Sequence, residues 1–64
     1  MKRYIIKIGH IYLEAVQDGG HYGFSSDPTD ALPLPLERAE KIAGDIIAKG
    51  FALDPADVSI ENAS

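Results

Sequence analysis

Two histidines, four serines and ten carboxylates are the side chains in this sequence that could carry chemistry. Nucleophilic catalysis needs a Ser, Cys or Thr beside a base that a third group orients. Ser25, Ser26, Ser59 and Ser64 do not sit in a strand–turn–helix elbow, and there is no cysteine. His10 and His21 flank a predicted strand over residues 11–17. At roughly 3.3 Å per strand residue they fall at opposite ends of it, too far apart to share a metal or a substrate. They read as a turn residue and a sheet-end residue. A catalytic carboxylate pair needs burial or a neighbour to push its two pKa values apart, whereas these acids fall mostly at turns, helix starts and exposed faces. Asp27 and Asp30 fall well short of the six to eight oxygens calcium takes. Asp18-Gly19-Gly20 precedes a strand, so it is not a phosphate-cradling loop. The expectation is a protein that is not an enzyme, with no cofactor and no metal.

The elements that position these residues must come from a single small domain, residues 1–64. A chain this short has a marginal core and usually gains from a staple or a partner. Without cysteine no disulfide is available, which raises the weight of a homodimer or of docking on a larger protein. The apolar run after Met1-Lys2-Arg3 is broken by Lys7, too short for a secretory signal or a membrane span. The expected compartment is the cytoplasm, with no membrane partner.

The first two strands are predicted at about 3–8 and 11–17, joined by a type II′ turn at Gly9-His10. Ile8 then faces Ile11, Ile6 faces Leu13 and Tyr4 faces Ala15, all on one face. Arg3, Ile5, Lys7, Tyr12, Glu14 and Val16 fall on the other. Asp18-Gly19 turns the chain into a third strand at about 21–25, pairing Ala15 with Tyr22 and Leu13 with Phe24. Turning at Gly19-Gly20 instead keeps the same faces. Asp27 caps a short helical turn that begins at Pro28, and Ala31–Pro35 is an extended linker.

Pro35 opens a helix running to about Lys49, with Leu36, Ala39, Ile42, Ala43, Ile46 and Ile47 directed to the sheet. Glu37→Lys41 and Asp45→Lys49 are i,i+4 pairs, and Gly50 is the stop. Gly44 reads either as a close approach or as simple tolerance. Asp54-Pro55-Ala56-Asp57 is another capped turn, before a short strand at about 57–61 with Val58 and Ile60 inward. The tail Asn62-Ala63-Ser64 is expected to fray. The predicted class is α+β: a three-stranded antiparallel meander, one helix on one face and a short C-terminal edge strand (βββαβ).

Charge separates along the chain. Residues 1–13 hold three bases and no acid, whereas residues 14–64 hold ten acids against three bases, a balance of −7. Such a surface repels nucleic acid and favours a basic groove on a protein. Direct nucleic-acid binding by Arg3, Lys7 and Tyr12 offers too few cations and rings, with Glu14 among them.

The runs Tyr-Ile-Ile-Lys (4–7), Tyr-Gly-Phe-Ser-Ser-Asp-Pro (22–28), Ala-Glu-Lys-Ile-Ala (39–43) and Val-Ser-Ile-Glu (58–61) resemble small phage and mobile-element proteins. Some proteins of that size, fold and acidity are anti-CRISPR inhibitors. The resemblance implies a class, a non-enzymatic protein that occupies a site on a host complex in the host cytoplasm. It transfers no individual site residue. The leading expectation is a phage-type inhibitor that sets an acidic surface against a basic, nucleic-acid-binding groove of a host protein complex. Its candidate contacts are Glu14, Asp18, Asp27, Asp30, Glu37, Glu40 and Asp45. The alternative is a homodimeric or adaptor module that binds through the open sheet face at Ile5, Tyr12 and Val16.

Overall fold

The computed structural model describes residues 2–52 and 54–63. Its elements are β1 (Tyr4–Ile8), β2 (Ile11–Gln17), β3 (His21–Ser25), a 3-10 turn at Pro28–Asp30, α1 (Leu36–Ala48), a 3-10 turn at Pro55–Asp57, and β4 (Val58–Asn62). The four strands form one antiparallel sheet in the order β3-β2-β1-β4. The helix packs on one face, chiefly over β1 and β4. This is the expected α+β, βββαβ arrangement, with β4 on an edge beside β1.

The opening hairpin folds as its residues dictate. Ile8 pairs with Ile11 and Lys7 with Tyr12 across a two-residue turn. Gly9 supplies the positive φ, 58°, that this turn needs at its first position. Between Leu13 and Ala15, however, β2 carries a bulge that leaves Glu14 as the extra residue. The β2–β3 connection is also one residue longer than a two-residue turn, because Gln17 pairs with His21 around Asp18-Gly19-Gly20. Each irregularity slips the register by one residue. They cancel at Leu13↔Phe24, as expected, but between them Ala15 pairs with Gly23 and Val16 with Tyr22. A one-residue slip reverses faces. Val16 therefore packs against the core, and its expected place on the open face is corrected.

The bulge also changes what lies beside β1. Tyr4 does not face Ala15; it forms an isolated antiparallel bridge with Leu34, both N–H···O distances being 2.8 Å. The Leu32 N–H donates to Leu13 O at 2.8 Å. The linker thus enters where β2 leaves β1, and Leu34 becomes a core residue at 5% exposure. Burying such a leucine contributes about 1.5–3 kcal/mol.

Ile6, Leu13, Ala39 and Ile46 are fully buried, with Ile8, Leu34, Ile42 and Ala43 around them. Leu36 and Ile47, expected on the sheet, are 44% and 40% exposed because they lie on a flank of the helix rather than along its buried stripe. Ile11, on the apolar face, is also exposed. Pro35 is the N-cap rather than the first helical residue. The helix ends as Gly50 takes φ 75°. The Gly50 N–H donates to Ile47 O and the Phe51 N–H to Ile46 O, the paired bonds of a Schellman stop. A Cβ at Gly44 would meet nothing within 4 Å, which excludes the close approach as its reason. The tail is held further than expected: Asn62 belongs to β4, and the Ala63 N–H donates to Arg3 O at 2.8 Å. Ser64 lies outside the described residues.

Candidate protein-binding surfaces

The seven candidate acids fall into several settings. Asp27 and Asp30 belong to the turn that leaves β3. The Asp27 carboxylate accepts from the Thr29 N–H (2.9 Å) and hydroxyl (2.8 Å), and the Asp30 carboxylate accepts from the Ser25 hydroxyl (2.9 Å). The backbone bond from Thr29, then its hydroxyl bond, hold the Asp27 carboxyl below the ordinary aspartate range. Both acids remain exposed. Asp18 is exposed in the loop at the opposite end of β3, and Glu14 is exposed on the bulge. Glu37 and Glu40 are exposed on α1, but Arg38 and Lys41 alternate with them. The helix is therefore charge-mixed, and the structure does not gather all seven acids into one surface.

Asp45 stands apart from the other six. It accepts a short hydrogen bond from the Tyr22 hydroxyl and pairs with the Lys49 ammonium at 3.1 Å. The Tyr22 bond first, then Lys49, hold its carboxyl below the usual range, and the same bond raises the Tyr22 hydroxyl. Lys49 also donates to Gly20 O at 3.0 Å and lies 5.3 Å from the Tyr22 ring centroid. Together these groups tie the end of α1 to the start of β3. Among the described residues, Asp45–Lys49 is the i,i+4 pair that closes.

The feature that sequence reasoning passed over is Phe51. The Schellman stop carries it over β3, where its ring stands edge-on to Tyr22 at 5.9 Å and tilted against Phe24 at 6.1 Å. It remains 51% exposed. The available signal was its place directly after the Gly50 stop, a position that frequently packs back on the helix end.

The open sheet face is less apolar than expected once Val16 is removed from it. Ile5 and Tyr12 stay there, half-buried, with the Lys7 ammonium 5.8 Å from the Tyr12 ring centroid. Glu61 stands opposite Ile5 and Ser59 opposite Lys7. No group of three or more metal-ligating side chains is formed among the described residues, and none of their helices is long and apolar enough to cross a membrane. Comparison with protein-family models, curated proteins and solved structures finds no match to this chain.

Proposed function

We propose that this chain is a non-enzymatic, protein-binding inhibitor of the phage, anti-CRISPR type, which presents acids to a basic, nucleic-acid-binding groove of a host complex. The observation that carries the reading is the distribution of charge around β3. Acids stand at both of its ends, Asp18 at one and Asp27 and Asp30 at the other. The nearby cation Lys49 is already engaged by Asp45 and Gly20. An unbalanced acidic rim attracts a basic surface over a range set by ionic strength. This moves the weight of the contact set from Glu37 and Glu40, which Arg38 and Lys41 offset, toward Glu14, Asp18, Asp27 and Asp30. The open-face dimer is not favoured, since only Ile5 and Tyr12 of its apolar set remain there and Lys7 covers the latter.

The test is affinity capture from bacterial lysate with the tagged chain and two charge-reversed forms. The combined variant Glu14→Lys, Asp18→Lys and Asp30→Lys is expected to lose nucleic-acid-binding proteins that the unaltered chain retains. Glu37→Lys with Glu40→Lys is expected to lose fewer. Raising salt to about 0.5 M should mimic the first variant. Capture of the same proteins by all three forms, unaffected by salt, contradicts the acidic-surface reading.

A further inference from the structure

We propose that the outer edge of β3 is a strand-docking site for an extended segment of a partner protein, apolar at its centre and flanked by lysine or arginine. The proposal rests on the acidic, protein-binding reading above and specifies how such a partner is held.

The backbone supplies the first part. β3 ends the sheet, so on its outer side alternate residues present N–H and C=O groups with no strand partner among the described residues. Proteins commonly blunt such an edge with a charge or a proline. His21-Tyr22-Gly23-Phe24-Ser25 contains no acid, lysine, arginine or proline. A strand added there would gain main-chain hydrogen bonds without displacing a guard residue.

Side chains supply the second part. Tyr22 and Phe24 are only partly buried, and above them lies the half-exposed ring of Phe51. The main body of α1 lies over β1 and β4, leaving this aromatic shelf at the border of the edge. An aliphatic side chain from an added strand could rest on it, and aromatic shelves of this kind anchor binding partners well.

Charge selects the occupant. A second copy docking through this same edge would pair β3 with β3. Antiparallel, the Asp18 end of one copy meets the Asp27 and Asp30 end of the other; in parallel, like ends meet. Both arrangements set acid against acid and are disfavoured. A segment carrying bases on both sides of its apolar centre meets acid at both ends instead.

The probe is a synthetic peptide of alternating leucine and threonine with a pair of lysines at each end, titrated into the isotope-labelled full chain and followed by NMR. Shifts are expected at the β3 amides and the Phe51 ring, with affinity falling as salt is added. N-methylation of alternate peptide amides should abolish them, in at least one of the two possible phases, without touching the protein fold. Phe51→Ala should weaken binding about tenfold. Binding that perturbs α1 or the open sheet face but spares β3 overturns the edge site while leaving the acidic-surface reading standing. Failure of the peptide and of polylysine alike overturns both. Concentration-dependent shifts of β3 in the protein alone identify a second copy as the occupant and also overturn the proposal.

Discussion

β3 and β4 are the two edges of one sheet, and they are finished differently. β4 pairs with β1 along its whole length, from Ile8↔Val58 to Tyr4↔Asn62. Beyond the strand the Ala63 N–H donates to Arg3 O, and before it Asp57 O accepts from the Gly9 N–H at 3.1 Å. It also carries a charge, Glu61, on the open face and lies under the helix. β3 pairs with the irregular strand, carries no acid, lysine or arginine of its own, and is roofed on its core side by a loop residue, Phe51. Exposed edges invite further pairing unless something blocks it. Both strands leave an outer edge, but β4 is anchored along all of β1 and carries a charge, whereas the β3 edge has no charged guard and keeps its aromatic rings accessible.

Substitutions on each side test that contrast. The largest effect is expected on the β4 side, beneath the helix. Ile6 is fully buried and pairs with Ile60, so Ile6→Ala should cost roughly 2–5 kcal/mol. In a domain this small that approaches its whole stability, and urea denaturation followed by circular dichroism will read it. On the β3 side Gly20→Ala should cost about 1–2 kcal/mol. Gly20 sits at φ 79°, and its new Cβ would displace the flexible Lys49 ammonium, 2.5 Å away. Amide exchange in that variant should quicken in β3 and leave β4 unchanged.

Between the two edges, Gly44→Ala should stabilise the chain by about 0.5–1 kcal/mol, since an added Cβ meets nothing and the helix gains propensity. Its urea midpoint gives a reference against which the strand variants are scaled. The smallest effect is expected from Tyr22→Phe, and it depends on pH. The Asp45 carboxyl is lowered in the folded chain, so its contribution is present above the unfolded aspartate value and fades as pH falls through the lower folded value. The Tyr22 hydroxyl is raised, so its contribution is complete below about pH 10 and is lost as pH rises through the folded value. Tyr22→Phe should therefore lower stability between those limits and flatten both limbs of the stability–pH profile. A parallel profile of unchanged shape would show that the bond does not couple to folding.

The fold was legible where one rule sufficed. A two-residue turn with glycine first, flanked by alternating apolar residues, determines the β1–β2 register at Ile8↔Ile11. The amphipathic stripe of Ala39, Ile42, Ala43 and Ile46 determines the buried face of α1. The second hairpin was legible only in part, because a three-residue loop and a bulge each shift the register by one. A reading that omits both still reaches Leu13↔Phe24 correctly and misplaces Ala15 and Val16. The Tyr4–Leu34 bridge depends on the space that the bulge opens, which no local pattern records. The candidate site was less legible still. The acids at the two ends of the third strand are visible in the sequence, but only the fold shows that β3 is an edge and that Phe51 lies over its Tyr22 and Phe24.

Hydrogen exchange of the full chain, read amide by amide with and without the lysine-flanked peptide, compares the two edges directly. The peptide is expected to protect the outward-facing amides of β3 and to leave those of β4 at their free rates. Protection on β4, or equal protection on both edges, contradicts it.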